Sequence, residues 1–275
     1  MDIWQAIVLG IVEGITEFLP ISSTGHLTIT EKLLDLPVDD PAVTGYTAVI
    51  QIGAIAAVFV YFWKDIVRLT VGWVRGLLSP VHRQDFDYRF GWYVIAGSLP
   101  ILAVGFLARG IITGPLRNLW WVAGALILWS VPMVLAERVA SQTRSEKELT
   151  LADTLIIGTA QCLALVPGVS RSGATITVGL FRGLDRVTAT RLSFFLSIPA
   201  LTAAGIYELP EAMSDSIGVL PIVVGTVVSF VVAYAAVAWL LRFVAHHTIV
   251  VFVWYRLALG ALLIAALATG WLAAT

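Results

Sequence analysis

Long apolar segments alternate with short polar stretches along the whole chain. Few charges interrupt eight of these segments, which are 4–19, 43–63, 91–110, 119–136, 154–169, 190–207, 218–241 and 249–272. A helix that crosses a membrane needs about 20 residues. Six of the segments reach or approach that length, whereas the first and fifth are shorter and run into Pro, Gly and hydroxyl residues. Interrupted segments of this kind are typical of re-entrant helices whose irregular backbone lines a cavity.

The composition agrees with a chain that crosses a membrane several times. Of 275 residues, 59% are hydrophobic and 13% are charged, whereas soluble domains have about 45–50% apolar and about 25% charged residues. The net charge of −1 creates no field that would attract nucleic acid. A lone cysteine, Cys162, excludes an intrachain disulfide and a cysteine-based metal cluster. We expect no cleavable signal peptide, because no Lys or Arg precedes Trp4.

The two halves of the chain resemble each other at an offset of 148 residues. This offset pairs Gly10 with Gly158, Glu13 with Gln161, Ser22 with Ser170, Thr24 with Ser172, and Gly25 with Gly173. Further along, the sequence at 51–54 resembles that at 197–200, and Leu-Pro-Ile at 99–101 recurs at 220–222. The common order of these matches indicates a duplication. We therefore predict one membrane domain over 1–275, with a first repeat at 1–148 and a second at 149–275.

The distribution of Lys and Arg favours re-entrant first and fifth segments. If both are re-entrant, twelve basic residues lie on one side of the membrane and three on the other. The twelve are Lys64, Arg68, Arg75, Arg83, Arg89, Arg138, Arg144, Lys147, Arg182, Arg186, Arg191 and Arg242, and the three are Lys32, Arg109 and Arg117. If both cross instead, the split is eight to seven. Since cytoplasmic loops carry an excess of Lys and Arg, the re-entrant arrangement is preferred.

This arrangement predicts an all-α polytopic membrane protein with two inverted-topology repeats. Each repeat has a re-entrant helical hairpin and three transmembrane helices, which gives six spans and two re-entrant regions. Both termini lie on the outer side, and the 64–90 loop lies in the cytoplasm. The predicted outer loops are acidic, with Asp35, Asp39, Asp40, Glu208, Glu211 and Asp215.

The first polar stretch, 13–26, carries two carboxylates, several hydroxyls and a histidine directly after an apolar run. Such a density of polar groups is costly at membrane depth and marks a functional site. Glu13 and Glu17 are four residues apart, so they share one face of a helix. Two carboxylates in an apolar site cannot both ionise cheaply without a cation. We expect them to bind Mg²⁺ or Ca²⁺, whose remaining ligands would be phosphate oxygens.

The same stretch supplies candidates for nucleophilic chemistry. Ser23 or Ser22 could act as the nucleophile, with Glu17 or His26 as the general base. Alternatively, these hydroxyls only position a water molecule. Thr24 adds a further hydroxyl that could contact a phosphate.

The second polar stretch, 167–175, has the composition of an anion-binding loop. Gly168 and Gly173 let backbone N–H groups approach a ligand, and a following helix would direct its positive end at that ligand. Arg171 offers bidentate phosphate recognition. The hydroxyl donors predicted to bind phosphate are Ser170, Ser172, Thr175 and Ser22. A structural alternative is a helix break in which Arg171 pairs with a glutamate, and this pairing does not exclude function.

Two other pairs of polar residues receive structural interpretations. Asp153 and Arg256 are expected to cap backbone groups or to extend toward the interface rather than to catalyse. His246 and His247 follow a basic residue at a predicted cytoplasmic helix end, so we expect them in a solvated loop.

Together, the stretches at 13–26 and 167–175 resemble the bacitracin-resistance type of undecaprenyl-pyrophosphate phosphatase. The resemblance extends across essentially the whole chain in length, segment order and inverted halves. It implies hydrolysis of undecaprenyl diphosphate to undecaprenyl phosphate and inorganic phosphate, which recycles a lipid carrier for peptidoglycan synthesis. It also implies a bacterial plasma membrane location among membrane lipid, a divalent cation, and a site open to the outer face. The oligomeric state is left open, with a homodimer as one alternative.

Carried over by position, the resemblance assigns roles to residues of both stretches. Glu13 and Glu17 match the acidic pair of the family, and Ser23 and His26 match its Ser-Ser-Thr-Gly-His element. The residues that match its phosphate-binding loop are Arg171, Ser170, Ser172 and Thr175.

Two competing functions share parts of this pattern. A polyprenyl-phosphate transporter or flippase could use the same inverted-repeat scaffold, but a carrier needs no activated hydroxyl. A phosphatidic-acid-phosphatase type of enzyme would place a histidine after the Ser-Arg pair where this chain has Thr177. The clustered carboxylates, serine and histidine therefore favour the diphosphate phosphatase.

Overall fold

The chain folds almost entirely into helices. A computed structural model describes residues 1–38, 40–108, 110, 118–212 and 217–274, apart from the side chains of 208–212. Within these ranges no β-strand occurs, so the predicted all-α class is confirmed. Six residues named above lie outside the description, in whole or by their side chains: Asp39, Arg109, Arg117, Glu208, Glu211 and Asp215.

The described residues contain eleven α-helices, numbered here in chain order. They are α1 Ile3–Thr16, α2 Ser23–Leu33, α3 Pro41–Tyr61, α4 Trp63–Leu78, α5 Phe86–Leu107, α6 Leu119–Val139, α7 Leu151–Ala160, α8 Arg171–Phe181, α9 Arg186–Ala212, α10 Val219–Val244 and α11 Val250–Ala268. Three short 3₁₀ helices accompany them, at Pro80–Gln84, Glu146–Glu148 and Gln161–Leu165.

Six of these helices are long and apolar enough to cross a membrane. They are α3, α5, α6, α10 and α11 over their full lengths, and α9 over Arg186–Tyr207. Each corresponds to one of the six predicted spans, which are thereby confirmed as membrane-length apolar helices. By contrast, α1 has 14 residues and α7 has 10. At 1.5 Å per residue, these two helices are about 21 and 15 Å long, which is too short to cross the hydrocarbon core.

One helix, α4, lies where the sequence predicted only the 64–90 loop. It is amphipathic: Leu69 and Gly76 are buried, whereas the charged Lys64, Arg68 and Arg75 are exposed. The buried face packs against α5, and Gly76 lies against the Tyr88 ring. A search for apolar segments overlooks such a helix because its charged and apolar faces average out along the sequence.

Corresponding helices of the two halves have corresponding neighbours. Helix α1 packs against α10, and α7 packs against α5. In both contacts glycine lets the two helix backbones approach closely. A Cβ at Gly10 would lie 2.7 Å from the Gly225 carbonyl oxygen, and a Cβ at Gly158 would lie 1.9 Å from the Gly97 carbonyl oxygen. Gly10 and Gly158 are one of the pairs related by the 148-residue offset. In addition, α3 packs against α9, and α6 packs against α11.

Basic residues gather at one end of the helix bundle. There, Arg191 Nη2 lies 3.0 Å from Asp65 and its Nε lies 2.8 Å from Glu146, while Arg186 pairs with Glu137 at 2.7 Å. We refer to this as the basic end. At the opposite end, Lys32 Nζ donates to the Ala273 carbonyl oxygen at 3.0 Å. The assignment of these two ends to the cytoplasmic and outer faces of a membrane stays a prediction.

Asp153 fixes the start of α7 at the basic end. Its carboxylate accepts hydrogen bonds from Arg144 Nη2 at 2.6 Å, Thr150 Oγ1 at 2.7 Å and Arg182 Nε at 2.8 Å. Burial on its own would raise the pKa of Asp153, but these hydrogen bonds outweigh it and hold the pKa well below its usual range. Of its two expected structural roles, capping or extension toward the interface, the structure shows capping.

Candidate active site

The first turn, residues 17–22, connects α1 to α2. Glu17 continues the helical backbone of α1, and its N–H donates to the Glu13 carbonyl oxygen at 2.9 Å. The two glutamates therefore lie one helical turn apart on the same face, as predicted. Ser22 has a φ of 76° and caps α2, where its Oγ accepts the Gly25 N–H at 3.4 Å.

The second turn, residues 166–170, leads into α8 and likewise ends in a serine that caps the following helix. Ser170 also has a φ of 76°, and its Oγ accepts the Gly173 N–H at 3.1 Å. Gly168 has a φ of 102°, and a Cβ there would lie 2.5 Å from the Val122 carbonyl oxygen. Only glycine fits this position. Ser22 and Ser170, which the 148-residue offset pairs, are thus equivalent in conformation as well as in sequence.

The two turns interlock through buried hydrogen bonds. Ser22 Oγ accepts the Gly168 N–H at 3.0 Å, and Ser172 Oγ donates to the Leu19 carbonyl oxygen at 2.9 Å. Ser170 Oγ also approaches that oxygen, at 3.4 Å. The structure thus brings together the two polar stretches, which are separated by about half of the chain.

Glu17 forms hydrogen bonds to reactive side chains of both halves of the chain. One of its oxygens accepts a hydrogen bond from Ser23 Oγ at 2.5 Å, and the other accepts one from Arg171 Nη2 at 2.6 Å. Ser23 and Arg171 are the first residues of α2 and α8, so they occupy equivalent positions in the two halves. The buried carboxylate can therefore take a proton from the Ser23 hydroxyl while Arg171 stabilises its charge.

Two polar groups beside Glu17 keep capacity for a ligand. Arg171 Nε and Nη1 are buried without a hydrogen-bond partner, and so are both carboxylate oxygens of Glu13. A buried group without a partner is costly, so each calls for a further partner. A phosphate would suit the two guanidinium nitrogens, and a cation would suit the carboxylate. The predicted pairing of Arg171 with a glutamate and its predicted use for anion binding are thus compatible.

His26 lies close to these groups but contacts others. Its Nδ1 lies 2.7 Å from the Ser22 carbonyl oxygen, so this nitrogen carries a hydrogen, and its Nε2 lies 2.7 Å from the Tyr255 hydroxyl. The two rings stack at 5.6 Å. The described hydrogen bonds join Ser23 to Glu17 and not to His26. Of the two candidate bases, the geometry therefore favours Glu17.

Several residues predicted to bind phosphate take part in the internal bonding of the turns. The hydroxyls of Ser22, Ser170 and Ser172 form the bonds already described, and the N–H of Gly168 is used as well. Thr175 is fully buried one turn into α8, where its Oγ1 lies 2.7 Å from Ser193 Oγ. Thr24 is partly exposed at the start of α2.

Two site residues were not identified from the sequence as part of the active site. Arg256 is fully buried and donates to backbone carbonyls of both turns. It caps backbone groups, as one of its two expected roles stated, and does not extend to the interface. Tyr255, which contacts His26, had no expected role. The only sequence signal was a charged residue inside an otherwise apolar segment.

Comparisons with known proteins cover almost the entire chain. The sequence model of the family described as bacitracin resistance protein BacA matches residues 6–262. Undecaprenyl-diphosphatase 1 of Frankia alni is 56% identical over 271 residues, 98% of each chain. Undecaprenyl-diphosphatase of Acidothermus cellulolyticus is 54% identical over 97% of each chain. That of Mycolicibacterium smegmatis is 50% identical over 98% of each chain.

Proposed function

Because the chain belongs to the bacitracin resistance protein BacA family, we propose that it hydrolyses undecaprenyl diphosphate to undecaprenyl phosphate and inorganic phosphate. The observation that carries this proposal is the buried Glu17 carboxylate held between a hydroxyl and a guanidinium. Curated relatives at 50–56% identity carry the name undecaprenyl-diphosphatase, which supports the same reaction.

In the proposed reaction, the two turns supply different components. Arg171, through the nitrogens that have no partner within the protein, binds the diphosphate together with the amino-terminal end of α8. Glu17 takes the proton from Ser23, or from a water in its place. The activated oxygen attacks the terminal phosphorus as the bond to the bridging oxygen breaks, so polyprenyl phosphate leaves. When water attacks, inorganic phosphate forms directly. When Ser23 attacks, a phosphoserine forms, and a water molecule then hydrolyses it to release inorganic phosphate and restore the hydroxyl. Electrostatic stabilisation by Arg171 accounts for much of the rate enhancement.

A divalent cation, Mg²⁺ or Ca²⁺, fits the same site. Both Glu13 oxygens lack a hydrogen-bond partner and the Glu13 carboxyl lies beside that of Glu17, whose oxygens each accept one hydrogen bond and retain a lone pair. Among the described residues no third acidic, histidine or cysteine ligand completes a metal-binding group. Glu13 and Glu17 would therefore hold the cation with substrate oxygens and water, a donor set that hard cations prefer. Such a cation would neutralise the charge of the phosphate groups.

The proposal places the chain in the bacterial plasma membrane with α1–α2 and α7–α8 as re-entrant hairpins. Helix α7 starts at the basic end, whereas Gln5 of α1 donates to the Leu34 carbonyl oxygen at the opposite end. The hairpins would then enter from opposite faces, as inverted repeats require. Positive residues at the basic end support a cytoplasmic location for it and an outer location for both termini. Labelling of Asp85→Cys in a Cys162→Ser chain should need permeabilised cells; labelling in intact cells would contradict this topology.

Phosphate release by the purified protein tests the proposed activity. In detergent there is no membrane gradient, so a phosphatase releases inorganic phosphate from undecaprenyl diphosphate, whereas a polyprenyl-phosphate carrier does not. We expect release by the parent chain and its near loss in Ser23→Ala, with His246→Ala as the matched control on an exposed loop. An inactive, well-folded parent chain that moves polyprenyl phosphate across vesicles would overturn the proposal in favour of transport.

A further inference from the structure

Arg256 is the largest fully buried side chain among the described residues. It lies in α11, which the proposed topology places across the membrane. None of the described ion pairs includes Arg256. Removing a charge from water without a counter-ion is expensive unless hydrogen bonds replace the lost hydration. The protein accepts this cost, so the partners of Arg256 indicate what it does.

Those partners are the two turns and the helix that supports them. Nη1 donates to the carbonyl oxygens of Pro20 at 3.2 Å and Val169 at 3.1 Å. Nη2 donates to the Gly168 carbonyl oxygen at 2.8 Å and to that of Ala125, in α6, at 3.3 Å.

A single nitrogen, Nη1, therefore bridges the first turn and the second. Pro20 lies three residues after Glu17, and Val169 lies two residues before Arg171. The bridge consequently fixes the distance between the Glu17 carboxylate and the Arg171 guanidinium, which must act on the same phosphate. Nε completes the arrangement by donating to Ser130 Oγ at 3.3 Å, which ties the guanidinium to α6. Its flat fork can serve all of these acceptors, whereas an ammonium group on a flexible stem cannot.

From this geometry we propose that Arg256 is a positioning residue of the active site. It holds the two turns in register, so that Glu17 and Ser23 from one repeat face Arg171 from the other. This inference rests on the proposed hydrolysis for its kinetic consequence. Its structural part, the alignment of the turns, is independent of that reaction.

The kinetic test compares Arg256→Lys and Arg256→Met with the parent chain. Both variants are purified in detergent and assayed for phosphate release from undecaprenyl diphosphate after their fold is checked by gel filtration and thermal unfolding. A misplacement of about 1 Å costs about 10²-fold in rate, so we expect kcat to fall about that much in both folded variants. A parental kcat in Arg256→Lys would assign the effect of Arg256 to charge or volume and would overturn the proposal. A folded Arg256→Met variant with parental kcat would overturn it as well.

The matched control is Arg186→Met, which removes an arginine from a partly buried pair with Glu137 at the basic end. If loss of any hydrogen-bonded arginine merely loosened the fold, this variant would lose kcat alongside the Arg256 variants. We expect it to lower the unfolding temperature while kcat stays at the parental value. Equal losses of kcat in both sets would assign Arg256 a general structural role.

Crosslinking the two turns tests the alignment without any activity. A Cβ at Gly173 would lie 3.7 Å from the Pro20 Cβ, within the disulfide range of about 3.5–4.5 Å. Pro20→Cys with Gly173→Cys, in a Cys162→Ser chain, should form a disulfide readily. We expect a several-fold slower crosslink when Arg256→Lys or Arg256→Met is added. Unchanged crosslinking would contradict the proposed alignment, even if the parent chain hydrolyses no diphosphate and the proposed function fails.

Discussion

The two turns of the candidate active site have the same backbone conformation but carry different chemical groups. Each has a serine with a φ of 76° that caps an 11-residue helix and accepts the N–H of the glycine three residues later. At the next position one turn carries Ser23 and the other Arg171, and both bind Glu17. The two helix starts are therefore equivalent in backbone conformation but carry different side chains, as the predicted duplication would allow. Neither turn alone contains a base, a hydroxyl and a cation.

The first helices of the two hairpins, α1 and α7, also differ in the contacts that hold their amino-terminal ends. The start of α7 is fixed by a buried carboxylate with two arginine partners, whereas the start of α1 is held by a neutral hydrogen bond from Gln5. Hydrogen bonds to charged groups contribute more than neutral ones. The start of α7 is thus held through charged groups, whereas α1 depends on neutral contacts, including its close packing against α10.

The largest expected effect comes from removing the group that both turns share. Glu17→Gln keeps the size of the side chain but removes the base and the charge that holds Arg171. We expect kcat for phosphate release to fall by about 10⁴-fold, the upper end for loss of a general base. Glu148→Gln, which changes an exposed glutamate in the 3₁₀ helix before α7, serves as the control. A kcat near the parental value would exclude Glu17 as the base.

Removing the Arg171 guanidinium, next to the second turn, should have the next largest effect. Arg171→Ala leaves Glu17 and Ser23 in place but takes away the donors that face the phosphate. We expect kcat/KM to fall by about 10²–10³-fold. Arg186→Ala, outside the site, should not change it. Near-normal phosphate release by folded Arg171→Ala protein would refute the anion-binding role of the second turn.

Glu13 tests whether the first turn also holds a metal ion. If a divalent cation binds Glu13 and Glu17, chelation should abolish activity and Mg²⁺ should restore it. Glu13→Gln should then require at least about tenfold more Mg²⁺ for half-maximal activity, because metal affinity depends on the number of charged ligands. Direct Mg²⁺ binding by calorimetry should weaken in parallel. An unchanged Mg²⁺ dependence would remove Glu13 from the metal site.

The smallest effect distinguishes the two serine caps. Ser170→Ala should cost about 1 kcal/mol of unfolding free energy, as helix caps usually do. Ser22→Ala should cost about 1–3 kcal/mol more, because it also leaves the buried Gly168 N–H without its acceptor. Thermal unfolding of the purified variants measures both, with exposed Ser141→Ala as the control. Equal destabilisation would indicate that the Ser22–Gly168 bond contributes little.

The sequence predicted those parts of the molecule that depend on local pattern. Apolar length identified six membrane-length helices, and the spacing of Glu13 and Glu17 placed both on one helical face. The alternative in which Arg171 pairs with a glutamate is also the contact that the structure contains.

Other features depend on distant residues and could not be read from local pattern. His26 binds Tyr255, which lies more than 200 residues away in sequence. Arg256 gains its role from carbonyl oxygens of two turns that only the folded chain brings together. Helix α4 was overlooked for a different reason, since charged residues interrupt its sequence and its buried face became recognisable only once its packing against α5 was known.

A double-variant cycle on Glu17 and Arg171 tests the central claim most directly. The two residues come from different repeats and are claimed to act as one unit through their shared hydrogen bond. kcat/KM is measured for Glu17→Gln, Arg171→Ala and the double variant. We predict that the double variant stays within about tenfold of the slower single variant, as for residues that act together. Losses that multiply would mean that the two turns contribute independently, and would contradict a site divided between them.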